Sequence, residues 1–310
     1  MMERGRCAGN IGENTPMAAE TKIQWADATF NSWVGCTKVS SACDSCYAET
    51  RAKRSGSPEL WTGTRRRTTP AYWKQPLKWN AESPAKHGRR TRVFCASLAD
   101  VFDNQVPEEW RKDLWYLIGS TPNLIWMLLT KRPQNIVKML PVGLRPPHTS
   151  GWPWPNVWLG TTVENQTEAD RRIPHLLSVP AAVRFLSCEP LLSPVDLTAV
   201  PFLDGDRRHR RDALTGHASM YAEGIDGHLD FVVRINKPLP DRIDWVICGG
   251  ESGPGARPMS EAWAASLRDQ CRAADVPFFM KQMSGERGRP IKDIALFPRD
   301  LQIREWPHHV

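Results

Sequence analysis

The stretch RVFCASLAD, residues 92–100, is a short apolar run that ends in small and polar residues. Five later runs share this form, and a segment with helical or irregular spacing follows each of them. These runs are LIWMLLTKRP from Leu124, VWLGTTVEN from Val157, VRFLSCEPL from Val183, DWVICGGESG from Asp244 and PFFMKQ from Pro277. Near-continuous apolar strands separated by helical spacers are typical of a parallel sheet that is buried on both faces.

The spacers supply the helices of the predicted fold. PEEWRKDLWYLIGST (107–121) and SEAWAASLRDQCRAA (260–274) carry apolar residues at helical spacing, and Ser260 is a suitable N-cap for the second. Together with at least one strand before residue 90, the pattern predicts an α/β fold, a full or partial (β/α) barrel of the TIM type. A doubly wound open sheet is the alternative.

One domain accounts for most of the chain of 310 residues, which is 41% hydrophobic and 24% charged, as in globular proteins. We expect this (β/α) domain to span residues 21–290 and to contain an insertion or flap around residues 200–240, a polar stretch without helical periodicity. Residues 1–20 are expected to form a disordered extension, with Met17 as an alternative start, and residues 291–310 a C-terminal tail.

The location of the protein follows from its lack of long apolar segments. No run reaches the roughly 18 residues of a membrane helix, and the first residues lack the continuous apolar core of a signal peptide. We therefore expect a cytoplasmic protein with no membrane partner.

Polar residues recur where the predicted strands end. In both candidate architectures the carboxyl ends of the strands carry the functional site, so these side chains would converge on one rim. They are Ser97, Asp100, Lys131, Arg132, Thr161, Glu164, Asn165, Ser187, Glu189, Glu251, Ser252, Lys281 and Gln282.

Three cysteines lie within CTKVSSACDSCYAE, residues 36–49, whereas the other five are scattered along the chain. A structural zinc site usually has four protein ligands, and the nearest downstream histidine, His87, lies 41 residues beyond Cys46. An iron–sulfur cluster held by three thiolates would leave one iron open to a small molecule. Both kinds of site remain open on spacing alone.

The net charge of +7 is concentrated in one segment. Between Arg51 and Arg92 there are twelve Lys or Arg residues and two acidic residues, and four tryptophan or tyrosine residues lie among them. Basic side chains neutralise phosphates and aromatic rings stack on exposed bases. The alternative is a solvated surface whose aromatic rings turn into the core.

The cysteine segment, with the pattern Cys-x6-Cys-x2-Cys-Tyr-Ala, resembles the radical S-adenosylmethionine (radical SAM) superfamily. More specifically, the chain resembles a family of radical-SAM-like proteins common in phages and bacteria. The superfamily usually has Cys-x3-Cys-x2-Cys, so this chain has a longer first gap. The matching stretches are TKIQWADATFNSWVGCTKVSSACDSCYAE, LTKRP, WLGTTVEN, RFLSCEPLL, DWVICGGESG with ARP, and PFFMKQ, within about residues 21–284.

The resemblance implies two cofactors and a set of residues that hold them. Cys36, Cys43 and Cys46 would bind three irons of a [4Fe–4S] cluster, and S-adenosylmethionine would chelate the fourth and yield a 5′-deoxyadenosyl radical. An electron donor such as flavodoxin or ferredoxin would reduce the cluster. The predicted cofactor-binding residues are Tyr47, Glu164, Glu189, Gly249, Gly250 and Glu251.

The Cys-Tyr ending is also similar to that of spore photoproduct lyase and its relatives, which act on a lesion in DNA. The resemblance therefore implies an enzyme, a lyase or modifying enzyme, that repairs or modifies a nucleic acid or nucleotide. Cys188 is predicted to donate a hydrogen atom to a product radical. The predicted nucleic-acid-binding residues are Arg65, Arg66, Arg67, Trp73, Lys131 and Arg132.

Two other functions stay open at this point. A nucleic-acid-binding protein with a structural zinc or iron–sulfur site would need no radical chemistry. An iron–sulfur enzyme could instead bind its substrate, rather than S-adenosylmethionine, at the open iron.

Overall fold

The computed structural model describes residues 21–144, 146–147, 149, 151–206, 208–223, 229–235, 238–253 and 255–307. The strands in these ranges are β1 (Ala28–Phe30), β2 (Trp33–Val34), β3 (Arg66–Arg67), β4 (Thr91–Cys95), β5 (Leu124–Thr130), β6 (Val157–Thr162), β7 (Val183–Cys188), β8 (Val200–Pro201), β9 (His209–Arg211), β10 (Ala218–Glu223), β11 (Leu229–Ile235), β12 (Trp245–Gly249) and β13 (Phe278–Gln282). The helices are α1 (Tyr47–Arg54), α2 (Pro70–Trp73), α3 (Gln75–His87), α4 (Glu108–Gly119), α5 (Ile136–Met139), α6 (Gln166–Leu177) and α7 (Glu261–Ala273). The predicted extension, residues 1–20, lies outside the described residues.

Seven of the strands form the main sheet, in the order β1-β4-β5-β6-β7-β12-β13. Every neighbouring pair is parallel. The strand order follows the chain without a reversal, so the sheet winds in one direction, as in a barrel. The doubly wound alternative is wrong, because that fold needs a point at which the strand order reverses. Since β1 and β13 are the two edges and do not pair with each other, the sheet is a curled half-barrel.

The two faces of this sheet are buried in different ways. On one face, Leu114 of α4, Ile173 of α6 and Leu267 of α7 belong to the same buried cluster as Val93 and Leu128 of the sheet. Alternate strand residues point to the other face. Burial of both faces explains why the strands are near-continuous apolar runs.

Aromatic rings fill the concave face of the half-barrel. The ring centroids of Trp25 and Phe94 are 4.6 Å apart, those of Trp158 and Trp245 are 6.0 Å apart, and Phe279 packs against Trp306 at 4.9 Å. Large aromatic side chains bury much apolar area each and so close a wide interior with few residues. The full set of buried residues here is Trp25, Phe94, Ile125, Met127, Trp158, Val183, Phe185, Trp245, Ile247 and Phe279.

Several segments lie outside the main sheet, among them β2 and β3, which pair as a two-stranded antiparallel sheet. The predicted insertion between β7 and β12 forms a small antiparallel sheet in the order β11-β10-β9-β8, and residues 207, 224–228 and 236–237 lie outside its description. The C-terminal segment covers the edge of β13. The amide of Met280 donates to the carbonyl of Ile303 (2.8 Å), and the amide of Glu305 donates to the carbonyl of Phe278 (3.0 Å). Covering an edge strand in this way protects its free backbone groups.

Ser260 directly precedes α7, at the predicted N-cap position, although its side chain makes no capping hydrogen bond. Of the described helices, none combines the length and the apolar character that crossing a membrane requires.

Gly160 on β6 gives a test of how tightly the barrel interior is packed. A Cβ atom at this position would lie 2.4 Å from Cζ of Phe185. We expect Gly160→Ala to lower the free energy of unfolding by about 1–3 kcal/mol, because an overpacked core must shift side chains or backbone. Urea denaturation would measure the loss.

The matched control is the same change in a Phe185→Leu background, where the smaller side chain leaves room for the methyl group. In that background, Gly160→Ala should lower the free energy of unfolding by clearly less than it does in the wild type. An equal loss of unfolding free energy in both backgrounds would mean that the contact with Phe185 is not the reason why position 160 requires glycine.

Candidate functional site

A cavity of about 630 Å³ lies at the carboxyl ends of the strands of the half-barrel. Its volume is within the range of roughly 300–1,000 Å³ that is usual for small-molecule sites. Trp25, Phe94 and Leu129 contribute apolar surface, so the cavity adjoins the aromatic interior. The polar residues that line it include many of those predicted from the strand ends, namely Ser97, Asp100, Lys131, Arg132, Ser187, Glu189, Glu251, Ser252, Lys281 and Gln282.

Cys36, Cys43 and Cys46 all line this cavity, and all three are free thiols. They belong to the cysteine loop, residues 36–46, which runs from the end of β2 to α1; Cys46 occupies the N-cap position of α1. Burial, together with the nearby Asp100 carboxylate, raises the pKa of Cys36 to about 11, while Arg132 opposes the rise. A thiol in this position needs a cation, such as a metal, to become a thiolate at neutral pH.

Within the described ranges, no three His, Cys, Asp or Glu side chains are arranged as ligands of a single metal ion. The thiolates of an iron–sulfur cluster bind different irons, so they are farther apart than the ligands of a single ion. Three free cysteines from one loop, lining one cavity of this size, are a donor set that fits such a cluster.

Arg132, at the end of β5, holds the first part of the cysteine loop. Its guanidinium donates to the carbonyl (3.0 Å) and the hydroxyl (2.9 Å) of Thr37 and to Sγ of Cys36 (3.5 Å). The same group is paired with Asp100 at 3.1 Å, and both side chains are only 6% exposed. The predicted role of Arg132 in nucleic-acid binding is not supported by this position, because the guanidinium is buried against the loop.

Glu164, at the end of β6, holds the middle of the loop. One carboxylate oxygen accepts a hydrogen bond from the amide of Ala42 (3.3 Å), and the other is paired with Arg172 of α6 at 2.8 Å. Glu164 is fully buried and does not line the cavity. Its predicted contact with a cofactor therefore has no support in the structure, and its position indicates a structural role.

Arg257, which follows β12, holds the loop from a third side. Its guanidinium donates to the carbonyl of Ser41 (2.8 Å) and is paired with Asp44 (3.4 Å) and with Glu251. Burial tends to raise the pKa of Glu251, but the hydrogen bonds from Arg257 outweigh it and the pKa is lowered. Glu251 thus stays ionised at the wall of the cavity.

The other predicted cofactor contacts are placed as follows. Tyr47 lines the cavity, and its hydroxyl donates to the carbonyl of Ser97 (2.6 Å). Glu189 lines it as an ion pair with Lys281. Gly250 also lines the cavity, and a Cβ there would lie 2.5 Å from Oγ of Ser284. Gly249 does not line it.

The predicted nucleic-acid-binding residues do not form one patch. The Arg65 side chain is 2% exposed and paired with Asp103 at 2.6 Å, so it is not available to a nucleic acid. Arg66 is exposed. Arg67 is paired with Asp113 and lies over the ring of Trp73. Of the six predicted residues, Lys131 and Arg132 line the cavity and the others do not.

Aromatic residues of the basic segment turn inward. Trp61 and Tyr72 are each 8% exposed, and the partly buried Trp73 packs edge-on against Phe30 with ring centroids 5.7 Å apart. Stacking on bases needs accessible ring faces, so these rings mainly pack the core, and only Trp61 and Tyr72 of the three also line the cavity.

Cys188 lies away from the cavity. Ser187 and Glu189 line the cavity, and Cys188 between them points to the other face of the sheet. There it is fully buried, opposite Cys248 in the register of β7 and β12. Burial raises the pKa of the Cys188 thiol to about 12. Its predicted role as a hydrogen donor has no contact to support it.

Sequence reasoning missed Arg172 and Arg257, which help to hold the cysteine loop. Arg257 is part of the ARP stretch, but its partner Ser41 is 216 residues away along the chain. No local spacing signals a contact of that range.

Comparison with known proteins gives one family and one set of similar structures. The family model described as "Protein of unknown function (DUF5131)" matches residues 20–295. Two structures of mutants of spore photoproduct lyase each align over 84% of this chain and 76% of that chain at 13% identity, with TM-scores of 0.44 and 0.43. A third, a mutant with bound AdoMet and dinucleoside spore photoproduct, has a TM-score of 0.38 at 15% identity over 55% of this chain, and this chain spans 48% of its length. No curated protein matches the chain.

Replacement of Arg132 tests the anchoring of the cysteine loop. We expect Arg132→Met to lower the free energy of unfolding by about 3–5 kcal/mol, because it leaves the buried Asp100 carboxylate unpaired. Amide hydrogen exchange in residues 36–46 of the folded variant should also become faster, since the loop loses its donors to Cys36 and Thr37.

The control is Lys131→Met, a neighbouring change in the same cavity wall. The ammonium group of Lys131 forms no ion pair with a described residue, so this variant should retain the exchange rates of the loop. If both variants leave the loop protected, Arg132 does not anchor it.

Proposed function

We propose that this chain, a member of the DUF5131 family, carries in its cavity the active site of a radical S-adenosylmethionine enzyme that acts on a nucleic acid or nucleotide. One observation carries the proposal. Three cysteines in the Cys-x6-Cys-x2-Cys-Tyr-Ala pattern come from a single loop and line one cavity at the carboxyl ends of a half-barrel of parallel strands.

Cys36, Cys43 and Cys46 would hold a [4Fe–4S] cluster, whose fourth iron takes S-adenosylmethionine. When bound and reduced by one electron from a donor, these groups would supply a carbon radical able to remove a hydrogen atom from the substrate. Glu189, Gly250, Glu251 and Tyr47 remain as the candidate contacts to S-adenosylmethionine, because each of them lines the same cavity.

The anchoring of the loop supports this role. The backbone of the cysteine loop is hydrogen-bonded to three charged side chains that come from different parts of the sheet. They are Arg132, Glu164 and Arg257. A ligand loop held in this way keeps its thiols at one end of the cavity without the metal. The longer first gap is accommodated, because Ser41 and Ala42 within it are the residues that Arg257 and Glu164 hold.

The apolar part of the cavity lining would exclude water from the site. Trp25, Phe94 and Leu129 line the cavity above the buried aromatic interior. Reactive intermediates survive in sites from which solvent is removed. An electron donor such as flavodoxin or ferredoxin would have to deliver electrons to the cluster, as the resemblance implies.

Anaerobic reconstitution with iron and sulfide tests the proposal directly. We expect the dithionite-reduced protein to give an EPR signal of a [4Fe–4S] cluster that changes on addition of S-adenosylmethionine, and to release 5′-deoxyadenosine. Single changes Cys36→Ala, Cys43→Ala and Cys46→Ala should each remove most of this signal, because each thiolate binds its own iron.

Stoichiometric zinc with no cluster in the wild-type protein would contradict the proposal and favour the nucleic-acid-binding alternative. A cluster whose EPR signal does not respond to S-adenosylmethionine would contradict the proposed binding of S-adenosylmethionine. It would favour an iron–sulfur enzyme that binds a different ligand at the open iron.

Cys188→Ala is the matched cysteine variant. Because this thiol points away from the cavity, we expect the variant to retain iron content, EPR signal and release of 5′-deoxyadenosine. Loss of the cluster in Cys188→Ala with an unchanged melting temperature would mean that our placement of the ligands is wrong.

A further inference from the structure

The open side of the half-barrel is flanked by lysines. β1 and β13 are the outer strands of the main sheet and do not pair with each other; the C-terminal segment pairs with the outer edge of β13. Lys22 precedes β1, Lys281 lies on β13 and Lys292 follows β13, and all three line the cavity. Three parts of the chain thus bring ammonium groups to the side on which the barrel does not close.

The negative charge beside these lysines is too small to balance them. Glu189 is the ion-pair partner of Lys281, and both side chains are largely buried, at 17% and 14% exposure. Lys22 and Lys292 form no ion pair with any residue that the structure describes. Burial lowers the pKa of Lys292, and repulsion from Lys281 and Lys22 lowers it further, while attraction to Glu189 opposes only part of this shift. The lysines are therefore close enough to repel one another.

The cavity as a whole has the same excess of positive charge. Seven basic and three acidic side chains line it, a net charge of +4. A [4Fe–4S] cluster with three thiolates would offset only part of this excess, and S-adenosylmethionine, with a sulfonium and an ammonium group against a single carboxylate, would add to it. Of the two arginines that line the cavity, Arg51 and Arg132, the second is already bound to the cysteine loop. A ligand with further negative charge would complete the site.

We propose that Lys22, Lys281 and Lys292 bind a backbone phosphate of the substrate, which enters through the open side of the half-barrel. Lysine ammonium groups bind phosphate as point charges, and binding of this kind is sequence-independent. This assignment rests on the proposed function for the substrate class. It adds the place where the substrate binds and the part of the substrate that is recognised, and it moves the nucleic-acid contact away from Arg65, Arg66, Arg67 and Trp73.

Calorimetric titration of the reconstituted protein tests this assignment. The probes are a random-sequence DNA tetranucleotide, its methylphosphonate counterpart with an uncharged backbone, and S-adenosylmethionine. We expect the wild type to bind the charged tetranucleotide and to bind the methylphosphonate at least about tenfold more weakly. The Lys22→Gln/Lys292→Gln variant should bind the charged probe about tenfold more weakly, with unchanged affinity for S-adenosylmethionine.

Salt dependence gives a second measure. The slope of log K against log salt should fall in magnitude by about 0.7 for each lysine–phosphate contact that is lost. Lys78→Gln is the matched control, since Lys78 is 75% exposed in the basic segment but does not line the cavity. It should leave the affinity and the slope unchanged.

Three outcomes would overturn the assignment. The wild type could bind the charged and uncharged probes equally or not at all, or the double variant could bind the charged probe as the wild type does. In the third outcome, the double variant would lose affinity only for S-adenosylmethionine, which would mean that the lysines bind the carboxylate of that cofactor. These results are independent of whether 5′-deoxyadenosine is released, so failure of the radical chemistry and failure of the phosphate site can be told apart.

Discussion

The buried ion pair between Arg132 and Asp100 connects the sheet to the cysteine loop. Burial of two charges is costly unless their remaining hydrogen-bonding groups are satisfied. Here Thr130 donates to one oxygen of Asp100 and the amide of Lys131 to the other, while the guanidinium reaches Cys36 and Thr37. The requirement that these polar groups be satisfied fixes where the loop lies. The position of the three thiols over the cavity depends on it.

The aromatic interior and the open edge divide the half-barrel into two parts with different uses. Tryptophan and phenylalanine rings fill the lower part, so no ligand space remains there. Above them the strand ends carry charges, which remain hydrated or paired at the cavity. β1 and β13 do not pair with each other, and the three lysines line the cavity on this side, where the C-terminal segment pairs with β13. A single sheet thereby combines a packed core with an accessible, positively charged site.

The basic segment shows how tertiary packing overrides a pattern in the sequence. Its arginines and aromatic residues have the composition of a nucleic-acid surface. In the structure, Arg65 forms a buried ion pair with Asp103 and Tyr72 stacks on Phe30. Composition records which residue types are present, whereas accessibility depends on what packs against them. Of the three lysines proposed to bind phosphate, Lys281 was predicted from its strand end, whereas Lys22 and Lys292 lie outside the strands and no local pattern marks them.

The sequence by itself determined the parallel sheet, the three-cysteine loop and the polar strand ends. Each of these is a local pattern, namely an apolar run, a short spacing or a residue next to a strand. Only the tertiary structure decided that Glu189 faces the cavity while Glu164 holds the loop, and that Arg132 contacts Thr37, 95 residues away. The direction of a strand-end side chain and the partner of a buried charge depend on how distant segments pack, which no local pattern encodes.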